Sequence, residues 1–131
     1  MTVLIADDSP FLVKRLVVAL AKVTGVDIIG QAGTVTETGN AIRDLKPDVV
    51  LLDISMPGGG AIDVLESLKA SPAIPAIIVL TNYTYPPHHK KCLKLGARFV
   101  LNKSTEFEKV GEALQSLTHR ASASGKHRSA E

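Results

Sequence analysis

Short apolar runs rich in β-branched residues alternate along the chain with longer stretches in which apolar positions recur every three or four residues. The runs Val3–Ala6, Val26–Gln31, Val49–Leu52, Ile77–Leu80 and Phe99–Leu101 predict five strands. Those around Val49 and Ile77 are apolar without alternation, the pattern of strands covered on both faces of a parallel sheet. Between the strands lie helices with readable caps. Ser9 and Pro10 supply an N-cap and a first-turn proline, and Leu12, Val13, Leu16, Val17 and Leu20 form a stripe that runs on to Gly25. Thr34-Val35-Thr36-Glu37 has the capping-box pattern and opens a helix that carries Ala41, Ile42 and Leu45 and stops before Pro47. Ile62, Leu65 and Leu68 mark a third helix ending near Pro72. A fourth is predicted from about Pro87 to Leu95, closed by Gly96. Thr105 and Glu108 cap a fifth, striped by Phe107, Val110, Leu114 and Leu117.

This repeated β-α alternation predicts an α/β fold: a doubly wound, five-stranded parallel sheet with helices on both faces. It occupies one domain over residues 1–118. From His119 the text turns to Ala, Ser, Gly, Lys, His and Arg without apolar period, which predicts a flexible basic tail over residues 119–131.

The totals narrow the function classes. With 131 residues the chain has room for one domain with a real core, and 45% hydrophobic residues exclude disorder as a description of the whole. Aromatic content of 4% leaves that core to aliphatic side chains. A net charge of +2, concentrated toward the tail, gives little support to nucleic-acid binding, and no direct contact with nucleic acid is expected. One cysteine, Cys92, excludes an internal disulfide framework and a multi-cysteine metal site. No apolar run is long enough to span a bilayer, and Met1-Thr2-Val3 leads straight into a strand, so the cytoplasm is the expected compartment and no membrane insertion is expected.

Polar residues recur just past the ends of the strands: Asp7 and Asp8, Asp53, Thr81 and Asn82, Asn102 and Lys103. In a parallel sheet these ends share one edge, where ligands bind in doubly wound folds. With strand order 2-1-3-4-5, the first and third strands are neighbours and Asp7, Asp8 and Asp53 converge. Two carboxylates about 4 Å apart repel by roughly 4 kcal/mol at an effective dielectric near 20. Lys103 supplies one compensating charge, and a hard divalent ion with oxygen ligands, most simply Mg²⁺, supplies the rest.

The paired acids of Ile5-Ala6-Asp7-Asp8-Ser9-Pro10, the stretch Leu51-Leu52-Asp53-Ile54-Ser55-Met56-Pro57-Gly58-Gly59, Thr81 and Lys103 stand in the order and places found in one family. Over Thr2 to Leu117 the chain resembles the receiver domain of bacterial response regulators, of the stand-alone type. The resemblance implies the flavodoxin-like fold and phosphorelay signalling, with Asp53 as nucleophile toward a phosphohistidine on a histidine kinase or phosphotransfer protein. It implies Mg²⁺ held by Asp8, Asp53 and the main-chain carbonyl of Ser55, with Asp7 acting through a metal-bound water. Lys103 would pair with one phosphoryl oxygen, and Thr81 would donate its hydroxyl to another. Output would pass to an unknown protein at the face of the fourth helix, fifth strand and fifth helix, making the chain a phosphoacceptor switch rather than a turnover enzyme. Two positions depart from the family: Ser104 follows Lys103 where proline is usual, and Val100 stands where an aromatic switch residue is common, with Phe99 facing the other side of the strand.

Plainer readings stand beside these. Asp7 or Asp8 could be a helix-capping carboxylate, Asp53 a loop acid, Lys103 a solvated lysine and Thr81 a turn residue. Gly58-Gly59-Gly60 reads as a turn whose glycines supply unusual backbone angles, since it lacks the Gly-Lys-Ser/Thr ending of a phosphate loop. Adjacent His88 and His89 do not share a helix face, and Cys92 reads as a buried small residue. The competing functions are a receiver-shaped interaction module with a vestigial site, the receiver half of a DNA-binding regulator, and a phosphatase of the haloacid-dehalogenase class. The last requires Asp-x-Asp where this chain has Asp53-Ile54-Ser55.

Overall fold

A computed structural model of the chain describes residues 1–56, 59–69, 75–81, 86–103 and 106–117. The expected tail, the Thr105 cap, Asn82 and the bond from Lys103 to Ser104 lie outside these residues. Strands β1 (Thr2–Ala6), β2 (Asp27–Ala32), β3 (Val49–Asp53), β4 (Ala76–Thr81) and β5 (Phe99–Asn102) form one sheet. Their order is β2-β1-β3-β4-β5 with every pairing parallel, as the alternation predicts. The helices are α1 (Pro10–Leu20), α2 (Val35–Leu45), α3 (Ala61–Leu68), α4 (Pro86–Lys94) and α5 over residues 109–117.

Successive side chains of a strand point to opposite faces of the sheet. Val3, Ile5, Val49, Leu51, Ile78 and Leu80 therefore meet α1 and α5 on one side. Leu4, Ala6, Val50, Leu52, Ile77 and Val79 meet α2, α3 and α4 on the other. Both faces are covered, so the central strands need apolar residues at every position. Each fully buried Leu or Ile contributes about 1.5–3 kcal/mol, and this double core holds the strand ends in register. Among the described residues, no helix is long and apolar enough to cross a membrane.

The N-caps form as expected at two helices. The Ser9 hydroxyl accepts the Leu12 N–H at 3.3 Å, and the Thr34 hydroxyl accepts the Glu37 N–H at 3.0 Å. Glu37 completes its box one residue early, accepting the N–H of Gly33 at 2.9 Å. Two apolar stripes are narrower than their periodicity suggested. Val17 and Leu45 sit at exposed helix margins, while Leu16 and Ile42 of the same helices are buried in the core.

β2 lies one residue beyond the expected Val26–Gln31. The Val26 N–H turns back to the Val23 carbonyl, and pairing with β1 starts where the Asp27 N–H meets the Met1 carbonyl at 2.9 Å. The register slips between Val3, opposite Ile28, and Leu4, opposite Gly30, which leaves Ile29 as the extra residue of a bulge. Gly30 lies close beneath α2, where a Cβ would stand 2.8 Å from Leu45 Cδ1.

Beyond β3 the expected turn is built as a small antiparallel ribbon, Ser55–Met56 against Gly59–Gly60. Gly60 is extended there, at φ −155°, rather than in an unusual backbone region, and its N–H donates to Asp63 at the start of α3. α4 begins at Pro86 and ends at Lys94, close to the expected limits. Gly96 closes it at φ +112°, and the next residue, Ala97, donates its N–H to the Cys92 carbonyl at 2.9 Å. Because L side chains are strained at such angles, Gly96→Ala should destabilise the fold by about 1–2 kcal/mol in urea unfolding. An unchanged midpoint would remove any need for glycine at that corner.

Candidate functional site

The C-terminal ends of β1, β3, β4 and β5 open on one edge of the sheet. Asp7 and Asp8 follow β1, Asp53 ends β3, Thr81 ends β4 and Lys103 follows β5. The structure brings the three acids together: each of Asp7, Asp8 and Asp53 offers a carboxylate oxygen within 4.8 Å of the others. Asp7 and Asp53 are buried and Asp8 is exposed.

The Lys103 ammonium lies between the two buried acids, 2.9 Å from Asp7 Oδ2 and 2.9 Å from Asp53 Oδ1. The solvated-lysine reading fails here, since only 11% of its side chain is exposed. Burial pushes the ammonium's pKa down, but hydrogen bonds and charge attraction from Asp7 and Asp53 together outweigh that and raise it above its ordinary value. Lys103 is therefore charged at neutral pH. The second oxygen of Asp7 accepts the Ser9 N–H at 2.8 Å. Asp7 thus serves the turn into α1 and the cluster at once, while the cap of α1 is made by the Ser9 hydroxyl.

One ammonium does not balance three carboxylates. At this spacing two like charges repel by roughly 3 kcal/mol or more at an effective dielectric of about 20. The donors are all hard oxygens, closed in by Asp7 and Asp53 and open to solvent at Asp8. Such a set fits a hard divalent cation that retains part of its water.

Thr81 is fully buried at the end of β4, opposite Asn102, and its carbonyl accepts the Lys103 N–H at 2.7 Å. Ser55 stands in the ribbon two residues past Asp53. Phe99 packs with the α1–α5 side of the core and Val100 with the other side, so Phe99 does not take up the place of an aromatic at 100. Cys92 is buried as expected, and burial pushes its thiol pKa up.

One contributor was missed from sequence. Thr105 of the expected box at the start of the fifth helix lies outside the described residues; Glu108 is exposed, and helical backbone begins at residue 109. Glu106 accepts the Asn102 N–H at 3.1 Å while donating its own N–H to the Asn102 carbonyl at 3.0 Å. That backbone hydrogen bond, with Lys109 beside it, holds the Glu106 carboxyl below the usual carboxylate range. A Glu three residues past a strand-end Lys was the available signal. A groove of about 980 Å³ runs from Asp7 and Asp8 along α1, past Phe11, Val17 and Val18 to Thr34.

The family model for the response regulator receiver domain matches residues 3–115, a span that includes every residue of this cluster. The chain is a response regulator receiver domain. Response regulator GacA of Pseudomonas aeruginosa is 29% identical to the receiver over 115 residues, covering 88% of this chain and 54% of GacA. Among solved structures, a DNA-binding response regulator of the LuxR family from Staphylococcus aureus overlays with a TM-score of 0.81. It is 22% identical and covers 88% of this chain and 96% of that one, a likeness of fold. RcsB of Salmonella enterica, solved bound to promoter rprA with the phosphomimetic BeF3−, overlays at TM-score 0.80 and 28% identity. That match covers 89% of the receiver and 67% of the RcsB chain. The receiver spans about half the length of most of the curated relatives it matches.

If repulsion at the open side of the cluster is what a cation relieves, Asp8→Asn should raise the thermal midpoint by a few degrees in EDTA. The same variant should lose most of the upward shift that Mg²⁺ gives the unaltered receiver. Equal Mg²⁺ shifts in both proteins would show that Asp8 holds no metal.

Proposed function

We propose that this receiver is a phosphoacceptor switch of two-component signalling, charged on Asp53 by a phosphohistidine of a histidine kinase or phosphotransfer protein. The observation that carries the reading is the Lys103 ammonium set 2.9 Å from the Asp53 carboxylate inside a cluster of three acids. In the transfer, an Asp53 oxygen forms a bond to phosphorus as the phosphorus–nitrogen bond to the donor imidazole breaks, and the imidazole nitrogen keeps the electron pair and takes a proton. Asp8, Asp53 and the Ser55 main-chain carbonyl would hold Mg²⁺, with Asp7 reaching it through water. When bound, that ion neutralises charge on the phosphoryl oxygens.

The protein's own contribution is placement. The buried end of β3 fixes the nucleophile, and the Lys103 ammonium lies where it can follow a phosphoryl oxygen as charge moves outward from the carboxylate. Thr81, next along the edge, would give its hydroxyl to another oxygen. Thr81 also begins the connection to α4, so engaging it biases the α4–β5–α5 face between two arrangements that a downstream protein can tell apart. Val100 supplies no aromatic gate on that face. The cluster is open to solvent at Asp8, beside the groove along α1, and a donor carried on another protein would approach from that side.

A second reading, a receiver joined to a DNA-binding output, is favoured by the relatives named as transcriptional regulators, of which this chain matches about half. The same phosphoacceptor chemistry would serve it.

Incubation with acetyl phosphate and Mg²⁺ should add one phosphoryl group by intact mass, and Asp53→Asn should add none. Labelling that persists in Asp53→Asn, or none in the unaltered chain, would sink the proposal.

A further inference from the structure

The segment carrying Lys103 is held by a side chain that touches neither the acid cluster nor any bound group. Lys103 is fixed on its near side by its own N–H, which donates to the Thr81 carbonyl at 2.7 Å. The residue before it, Asn102, is fixed by Glu106 at both backbone groups. Asn102 N–H donates to Glu106 Oε1 at 3.1 Å, and the Asn102 carbonyl accepts the Glu106 N–H at 3.0 Å. Residues 102 and 106 are thus closed on each other by a reciprocal pair of hydrogen bonds, and Lys103 leaves from one end of that closed loop. The other end is weighted down by Phe107, which packs on the α1–α5 core and lies 4.4 Å from the Arg15 guanidinium.

We propose that Glu106 is a positioning residue for Lys103: its carboxylate holds the end of β5 so that the ammonium reaches Asp7 and Asp53 together. Serine at 104 does not fix its own φ as the ring of a proline would. The side-chain brace from 106 acts on the backbone just before Lys103, at the Asn102 N–H. The bond to a main-chain N–H needs an acceptor oxygen at that place and no particular charge. The Lys109 ammonium, 3.1 Å from Glu106 Oε2, is an exposed partner of small weight.

The consequence for phosphoryl transfer rests on the phosphoacceptor reading above, whereas the placement of Lys103 can be read without it. Nitrogen-15 NMR of the lysine ammonium groups reports the placement directly, because an ammonium held by two carboxylates exchanges its protons slowly enough to be seen. In Glu106→Ala the Lys103 ammonium signal should be lost or broadened, and acetyl phosphate should label Asp53 about tenfold more slowly. Mg²⁺ affinity should hold or rise, since the carboxylates are untouched and lose a competing cation, whereas general loosening of the fold would weaken it. Glu106→Gln keeps an acceptor oxygen and should restore both the signal and the rate to within about twofold. Adding Glu106→Ala to Lys103→Ala should slow labelling no further.

An unchanged Lys103 signal in Glu106→Ala overturns the proposal, as does a glutamine variant as impaired as the alanine one. If the unaltered chain takes up no phosphate, the phosphoacceptor reading fails and the ammonium signal alone decides the role of Glu106.

Discussion

A single ammonium shared by two buried carboxylates is the interaction on which this edge of the protein depends. Asp7 comes from the end of β1, Asp53 from the end of β3, and Lys103 from beyond β5, so three separated parts of the chain meet at one nitrogen. Buried carboxylates cost free energy unless they are paired and hydrogen-bonded. Here the pairing is incomplete by charge, which leaves the site with a standing demand for cations. The fold supplies one permanently and leaves the exposed Asp8 side open for another.

That arrangement needs a rigid base, and the two-sided core provides it. Because both faces of the central strands are packed, β3 cannot slide along β1 or β4 without moving its side chains from one core to the other. The strand ends are therefore held to within the tolerance of a hydrogen bond, although the residues at those ends are themselves unfavourable to bury. Stability is concentrated in the middle of the sheet and the unbalanced charge at its edge.

Much of this was legible in the sequence, and what escaped did so for physical reasons. Uninterrupted apolar runs announced strands covered on both faces, and the acids at their ends announced a shared edge, because both follow from residue type and spacing. The displacement of β2 was hidden because Val26 is apolar enough to begin a strand, and only the meeting of Asp27 with the Met1 carbonyl sets where pairing starts. The ribbon of Ser55–Met56 and Gly59–Gly60 is too short to show any period. The brace at Glu106 was missed because its partner is a main-chain N–H, and where that group lies depends on the path of the backbone after β5. The roles of Val17 and Leu45 were misjudged for a related reason: helical spacing says which residues share a face, and the breadth of the neighbouring sheet says how much of that face is covered.

The bulge at Ile29 bears on a different hazard. β2 is an outermost strand, and the far side of such a strand offers a ladder of amide groups to any extended chain that passes. Doubling one residue against its neighbour breaks the two-residue repeat of that ladder and turns the strand locally. A foreign strand that matches the groups before Ile29 falls out of step after it. The irregularity in the pairing of β1 with β2 therefore also acts as a guard against self-assembly along the open border of the sheet.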